Sequence, residues 1–544
     1  MRRSLTGEMN LPPETVPVPD QGRRRHLILL GVAAVVAHLP ALRAGYVLDD
    51  PVLLSENPYV RTAAGLGMLL KHELFVATAQ PHVSPYYRPL AGLLNWLSYQ
   101  ALGAHTVGQH AFNLLLHALV AVLLFAVCRA NHIRPAVAFG AALVFAVHPA
   151  TAEVVAYLGG RQNMAGWIIG LTAACLIGRL RTLGMVALLG FGATFLGALF
   201  HEFFFGLAVP LGLLCLGEKG RSAPARAAAT LAGGGVAVAA ILQLRSWLRL
   251  ADMELHGFDL ASLFKTNVGV ALRLVKDVCF PFDLAVDVSI VEPTLPTVIL
   301  VLIVAAAMTI WLPYFIGRKQ RHLLGLVLAG MSIVALSVVV HSGVAMKRGI
   351  ISDRYAYATL IGVFVCAAAL ANCHETVTVK GSALRRLVRR WGAVVVAMAV
   401  LPLTWARDRN WHDETSLELA MIADRPQDPE TWLATGMLYL AKGDIEQAYP
   451  HCRAYANARP ELHEANLCVG VWLLKHDRPE EAAAIVRSEA LSWPENMKIR
   501  RVYLAALIAS HDYAQAHRTL NEWSRMFPGA KDLAEAKAAL GSSQ

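Results

Sequence analysis

The chain has 544 residues, of which 56% are hydrophobic and only 16% are charged, and its formal net charge is +10. A composition this apolar excludes an ordinary soluble enzyme and predicts a polytopic membrane protein that carries a smaller polar domain. The positive charge does not indicate nucleic acid, because the basic residues lie mostly in short loops between apolar segments, without zinc-ligand spacing or interleaved aromatic residues.

The N-terminal region predicts a tail and a membrane anchor. Residues 1–25 are polar and rich in proline, and we expect a disordered cytoplasmic tail there. The apolar segment 27–42 follows three arginines, which hold its first end in the cytoplasm. It is too long for a signal peptide and lacks a small-residue cleavage site, so we expect a retained anchor.

Asp49 and Asp50 follow this anchor and should emerge just beyond the opposite membrane face. Lipid-linked substrates present their phosphates at that depth, so the pair is a candidate for chemistry. Acidic residues at the end of a helix are more often solvated boundary markers. Residues elsewhere in the chain are needed to distinguish a catalytic pair from a solvated boundary marker.

Ten further apolar segments follow, and with the anchor they predict about 11 membrane crossings. Each predicted cytoplasmic turn is basic, whereas the longer outer loops hold fewer basic residues for their length. An odd number of crossings places the C-terminal region on the outer side. The segments are 109–128, 135–150, 164–178, 183–200, 203–217, 227–246, 294–316, 322–341, 355–372 and 391–405.

Ionisable side chains beside apolar spans are costly to bury and are therefore candidates for function. In the predicted topology, most of these side chains lie at the outer membrane face, as the Asp pair does. Nine are candidates for donor binding: Arg88, Glu153, Arg161, His201, Glu202, Lys347, Asp353, Arg354 and Tyr357. Four are candidates for structural or substrate-channel roles: His110, Asn113, His117 and His148.

Two carboxylates, several cations and a lipid-facing wall suit transfer from a lipid-linked phosphate. The cations would neutralise the leaving phosphate, and one Asp would accept the proton of an attacking hydroxyl. Simpler explanations also exist, since the residues at 110, 113 and 117 share one helix face and could bond neighbouring helices. Arg88 and Glu153 could form a buried ion pair. No metal-ligand triad has a recognised spacing, so a divalent metal is possible but not indicated.

Residues 409–544 are charged and periodic, and they predict a tetratricopeptide (TPR) α-solenoid whose concave face binds peptide or protein. A passive stability cap is the alternative. Cys452 and Cys468 fall on facing helices of adjacent repeats, and either a disulfide or two inert thiols would fit. The prolines and alanines that recur at intervals of 34 residues are Pro426, Pro460, Pro494, Pro528, Ala448, Ala482 and Ala516.

The chain resembles the transmembrane-and-TPR O-mannosyltransferases and their bacterial relatives, a branch of the GT-C glycosyltransferases. The order of several short motifs carries the resemblance: Tyr46-Val47-Leu48-Asp49-Asp50, Tyr87-Arg88-Pro89-Leu90, His110-x-x-Asn113-x-x-x-His117, His148-Pro149-x-x-x-Glu153, Gly160-Arg161, Glu202 and Asp353-Arg354-Tyr355-x-Tyr357. Relatives often carry Lys-Glu where this chain has His201-Glu202. The resemblance implies an all-α protein with a GT-C-like transmembrane domain at 26–408 and an extracytoplasmic TPR domain at 409–544.

The resemblance further implies a polyprenyl-phosphate sugar as donor, a hydroxyl of an exported protein as acceptor, and inverting transfer at the outer face. The catalytic base would lie in the Asp49–Asp50 pair, and no other cofactor is implied. We expect a multi-pass protein of the inner membrane, in contact with membrane lipid, with a cytoplasmic N terminus and a periplasmic TPR domain that recruits the acceptor. A lipid-linked sugar transporter or flippase and a non-catalytic TPR scaffold are the alternatives.

Overall fold

The computed structural model describes residues 21–76, 86–218, 220, 222–250, 260–282, 284–290, 293–348, 350–375, 383–424, 426–460, 465–494, 496–527 and 531–542. The first helix begins at Gln21. Residues 21–25 of the expected tail therefore belong to a helix, and residues 1–20 lie outside the described part of the chain.

The described chain is almost entirely helical, which confirms the all-α expectation. The described part of the chain contains one two-stranded antiparallel sheet, formed by β1 (Asp287–Ser289) and β2 (Ile350–Ser352). The helices are α1 Gln21–Ala37, α2 Leu66–Lys71, α3 Pro89–Leu102, α4 Thr106–Ala130, α5 Pro135–Ala146, α6 Ala152–Ala156, α7 Arg161–Ile177, α8 Leu183–Ala198, α9 Ala208–Cys215, α10 Ala223–Trp247, α11 Leu260–Cys279, α12 Leu295–Lys319, α13 Leu324–Arg348, α14 Ala356–Glu375, α15 Ala383–Arg409, α16 Glu414–Asp424, α17 Pro429–Ala441, α18 Ile445–Ala458, α19 Asn466–Lys475, α20 Pro479–Ser492, α21 Met497–Ala509, α22 Tyr513–Met526 and α23 Lys531–Ser542.

Five helices of the described chain are long and apolar enough to cross a membrane, and a bent pair could form a sixth span. They indicate a multi-pass membrane protein. A helix also occupies each of the other apolar segments, although several of these helices are shorter than a bilayer is thick. The total of about 11 crossings therefore stays a prediction.

Small residues set the spacing of the membrane helices. A Cβ added at Gly233 of α10 would lie 2.0 Å from the carbonyl oxygen of Ala187 in α8, and one at Gly362 of α14 would lie 2.6 Å from that of Gly330 in α13. Backbones in such contact gain dispersion energy that lipid tails cannot supply. Both helix pairs are consequently packed without intervening side chains at these points.

The site is positioned where helices break on one side of the bundle. The chain turns at Pro149 and bends by 59° between α5 and the helical segment that follows. The segment up to Gly160 then runs across the end of α4 before α7 begins at Arg161. The loop after α1, which contains the Asp pair, packs against the same segment. Polar backbone at this position has to be satisfied within the protein.

The C-terminal helices α16–α23 pack in succession; α17–α23 have apolar cores of their own, whereas Leu417 of α16 belongs to the core of the membrane helices. Cys452 of α18 and Cys468 of α19 are joined by a disulfide, which resolves the alternative left open by the sequence. This region contacts the Asp loop directly. The N–H of Gly45 donates to the carbonyl of His412 at 2.7 Å, and the N–H of Leu48 donates to the Glu414 carboxylate at 3.0 Å.

Candidate functional site

The two adjacent aspartates have opposite environments. Asp50 is fully buried and accepts hydrogen bonds from the backbone N–H groups of Gly159 at 3.0 Å and Leu158 at 3.3 Å. Asp49 is exposed and accepts a hydrogen bond from the Tyr157 hydroxyl at 2.9 Å. Asp50 therefore fastens the loop to the α6–α7 connection, while the Asp49 carboxylate remains accessible.

Burial also separates the two acids electrostatically. It raises the pKa of Asp50 to about 8, although the backbone N–H donors and the positive charge of Arg161 lower that pKa. Burial, followed by the negative charges of Asp49 and Asp50, raises the pKa of Tyr157 well above its ordinary value. Tyr157 is thus a neutral donor to Asp49, and Asp49 is the member of the pair that can accept a proton from an outside group.

Arg161 lies behind the aspartates, in a cage of neutral oxygens. It is 1% exposed. Its guanidinium donates to Ser98 Oγ at 2.8 Å, and to Gln109 Oε1 and Asn113 Oδ1 at 3.1 Å each. The Asn113 amide in turn donates to the carbonyls of Val155 and Tyr157. The predicted donor-binding residue Arg161 is therefore enclosed, and its contacts hold the segment that carries Tyr157.

The predicted cations and acids form ion pairs with partners far away in the sequence. Glu153 is 1% exposed and accepts from Arg354 Nη1 at 2.8 Å and from the Arg354 backbone N–H at 2.9 Å. Arg88 pairs with Glu202 through two guanidinium nitrogens, the shorter contact being 2.6 Å. The Arg88–Glu153 pair considered from the sequence is wrong, because each residue has a different partner. Such paired geometry reduces the cost of burying the charges.

Apolar packing connects the Arg88–Glu202 pair to the aspartates. Leu53, which follows the Asp pair, belongs to one buried cluster with Ala91 of α3 and with Phe200. His201 precedes Glu202, and its Nδ1 accepts from the Phe203 N–H at 3.1 Å. Burial and then the positive charge of Arg88 lower the pKa of His201 well below its ordinary value. His201 is therefore a neutral ring in this part of the site.

The remaining predicted residues lie deeper. His117 shares a 3.0 Å hydrogen bond with the Tyr357 hydroxyl, His110 Nε2 lies 3.2 Å from the carbonyl oxygen of Gly45, and His148 Nε2 lies 3.1 Å from that of Val278. Tyr357 is 1% exposed, so it faces the protein interior. These contacts agree with the structural interpretation of the histidines. The Lys347 side chain lies outside the described part of the structure.

Sequence reasoning missed several residues of this network. Asp353 is clamped between Arg273 at 2.7 Å and Arg407 at 3.1 Å, although only Asp353 was a candidate. His38 Nδ1 lies 3.1 Å from the Asp408 carboxylate. The signals were present: Arg273 has an acid four residues later on the same helix face, and Asp408 ends an apolar segment as the Asp pair does.

The site offers acid–base and charge-stabilising chemistry. Within the described residues no group of three or more His, Cys, Asp or Glu side chains is arranged to hold a metal ion. Asp49 supplies an accessible carboxylate, and Arg354 and Arg88 supply guanidinium groups at the edge of the buried network. Their acidic partners hold these cations in place.

Comparison with known proteins gives related sequences of one kind. No family model matches the chain. It is 29% identical over 163 residues to a protein O-mannosyl-transferase of Caenorhabditis elegans, a match that covers 29% of this chain and 23% of that protein. It is 35% identical over 156 residues to the protein O-mannosyl-transferase Tmtc1 of Drosophila melanogaster, covering 27% and 18%. It is 31% identical over 152 residues to the protein O-mannosyl-transferase TMTC4 of Homo sapiens, covering 25% and 20%.

The matches thus span about a quarter of this chain and about a fifth of each relative's length. They establish similarity to protein O-mannosyl-transferases over that stretch. The activity of the whole chain is a separate matter.

Proposed function

We propose that this protein is a GT-C-type membrane glycosyltransferase that transfers a sugar from a polyprenyl-phosphate donor to a hydroxyl of an exported protein. The observation that supports it most is the exposed Asp49 carboxylate, which is held by Tyr157, a side chain that also lies within electrostatic range of Arg354. Similarity to protein O-mannosyl-transferases points in the same direction. A passive scaffold has no use for an accessible base in that position, and a transporter would not form a covalent product.

In the proposed reaction, the acceptor hydroxyl oxygen attacks the anomeric carbon of the donor, and the bond from that carbon to the phosphate oxygen breaks. Asp49 takes the hydroxyl proton, and the configuration inverts in this single displacement. Polyprenyl phosphate leaves with the bonding electron pair. Arg354 and Arg88 would stabilise the negative charge that develops on its phosphate.

The C-terminal helices would form a TPR solenoid that presents the acceptor. Their attachment at Gly45 and Leu48 brings them within four residues of the Asp pair along the chain. The Cys452–Cys468 disulfide is of the kind that persists in an oxidising compartment. The space outside the inner membrane is such a compartment, so the disulfide supports placing this region there. A peptide bound on this region would lie close to Asp49.

The test is transfer by the full-length protein in proteoliposomes that contain a polyprenyl-phosphate sugar and an exported-protein acceptor, followed by intact-mass measurement. We expect one hexose-sized mass on the acceptor, reduced by a factor of about 100 or more in Asp49→Asn, as for loss of a general base. Asp413→Asn is the matched control, because Asp413 is also exposed and Asn can still cap α16. Equal transfer by Asp49→Asn, or donor movement without a covalent product, would contradict the proposal.

A further inference from the structure

A cavity lies far from the candidate site, where the opposite ends of the same helices meet. It has a volume of about 730 Å³. Asn131 and His132 after α4, Arg179 after α7, Glu218 after α9 and His322 before α13 contribute its polar lining. From Asn113 to the end of α4 the helix rises by about 25 Å. The cavity is therefore separated from the Asp pair by most of a bilayer thickness.

The polar lining combines hydrogen-bonding rings with one exposed cation. The rings of His132 and His322 are 6.0 Å apart, and Arg179 also lines the cavity. Glu218, the one carboxylate among the described residues that line the cavity, is bound by Arg226 Nη2 at 3.1 Å. Arg226 also donates to two backbone carbonyls at the end of α7 and so fixes the wall. With Glu218 neutralised, the cavity favours an anionic ligand.

The other lining residues are apolar and belong to helix ends. Ala174, Ile177 and Leu214 form that part of the wall. A neighbouring apolar cavity shares Ala174 and Leu214 but holds only about 30 Å³, the volume of roughly one methylene group. A lipid chain cannot continue through the protein there. A headgroup can enter the large cavity while its acyl chains stay in the bilayer.

We propose that this cavity binds the phosphate headgroup of an anionic glycerophospholipid from the leaflet opposite the candidate site. Positive loops mark this end of the helices as the cytoplasmic side, and basic pockets between membrane helices on that side bind anionic headgroups. The cavity is lined by both polar and apolar residues, and it lies at the helix ends, where lipid headgroups are expected. Both features favour a lipid over a free phosphate ion. The site is independent of the proposed transfer reaction.

The test uses the purified full-length protein in neutral detergent, titrated with phosphatidylglycerol or phosphatidylcholine, with bound lipid counted by native mass spectrometry. We expect phosphatidylglycerol to bind preferentially. Arg179→Gln combined with His132→Asn should weaken that binding at least about fivefold, since the one cation removed contributes about 1 kcal/mol near a headgroup. Asn is chosen because His132 has a φ of 61°, which Asn tolerates.

Arg181→Gln is the matched control, because Arg181 is exposed two residues beyond Arg179 but does not line the cavity. Gly178→Leu is a second cavity variant, because Gly178 lines the cavity. A Cβ at this position would meet no atom within 4 Å, so the leucine side chain should narrow the cavity without disturbing the fold. Loss in both cavity variants and not in the control supports the site. Equal binding of the two lipids, equal loss in Arg181→Gln, or binding of inorganic phosphate alone would overturn it.

Discussion

At the scale of single residues, the Asp pair shows how one peptide step changes the role of a carboxyl group. Leu48 has a φ of 53°, and the turn it makes leaves Asp49 outside and Asp50 inside. The exposed carboxylate of Asp49 accepts a hydrogen bond from the neutral hydroxyl of Tyr157. The buried acid satisfies backbone N–H groups of the crossing segment. Adjacent identical residues thus separate into a proposed base and a positioning residue.

The burial of Asp50 predicts a particular pH dependence of stability. Its pKa is about 8 in the folded protein and ordinary in the unfolded chain. The folded state therefore binds more protons between about pH 4 and pH 8, and stability should fall as pH rises through that range. Asp50→Asn removes this titration. As the pH is raised from 4 to 8, the unfolding temperature should fall more steeply for the wild type than for Asp50→Asn.

The exposed neighbour provides the control for this experiment. Asp49→Asn should keep the steep decline of the wild type, because Asp50 still titrates in it. Parallel profiles for the wild type and Asp50→Asn, measured by thermal unfolding across the same buffers, would show that Asp50 is not the group responsible.

At the scale of elements, Arg161 joins three helices through one guanidinium. It bonds Ser98 of α3, Gln109 and Asn113 of α4, and it begins α7 itself. Hydrogen bonds to a buried charged group contribute about 1.5–3 kcal/mol each. Because Asn113 also holds Val155 and Tyr157, this cage determines where Tyr157 meets Asp49.

Arg161→Lys tests whether this residue positions the base or binds the donor. Lysine keeps the charge but cannot reproduce the guanidinium fork, so some of the caged oxygens lose their donor. We expect kcat to fall at least tenfold and the unfolding free energy to drop by about 2–4 kcal/mol, with KM for the donor little changed. A rise in donor KM at constant kcat would instead favour direct donor contact.

At the scale of the whole molecule, one surface joins the membrane helices to the C-terminal helices. Trp411 is fully buried at this junction, and its ring lies 6.1 Å from that of Tyr157. The loop that carries the aspartates is therefore in contact with both parts of the protein. Movement of the C-terminal helices would therefore shift the loop that contains the Asp pair.

The disulfide gives a test of how the molecule sits in the membrane. If the C-terminal helices face an oxidising compartment, Cys452 and Cys468 should resist maleimide added to denatured cell extracts until a reductant is added. Denaturation is needed because both side chains are fully buried in the folded protein. Reduction should also lower the stability of that region by about 3 kcal/mol, as for closure of a loop of similar length. Mass spectrometry of labelled peptides measures the first effect, and thermal unfolding measures the second.

Cys279 serves as the internal standard, because it is a free cysteine with an exposed side chain. It should react with and without the reductant. Equal labelling of all three thiols before reduction would place the C-terminal helices in a reducing compartment and contradict the proposed topology.

Local sequence pattern sufficed for much of this protein. Apolar segments predicted where helices lie, because hydropathy is a property of neighbouring residues. The placement of polar residues at segment ends predicted a set of candidate site residues, several of which are in contact in the structure. His110 and Asn113 come from one segment and Arg161 from another, and the structure joins them to the Asp loop as a single network.

The roles within that network depend on folding in three dimensions. Glu202 rather than Glu153 faces Arg88, and Arg354 faces Glu153 across 201 residues of sequence. Such pairing follows from how helices rotate and cross, which no local pattern encodes. Whether Asp49 or Asp50 meets solvent depends likewise on one left-handed turn and on the segment packed over it. Hydropathy thus predicts which segments form apolar helices, while burial and the partners of each charge arise only from contacts between distant segments.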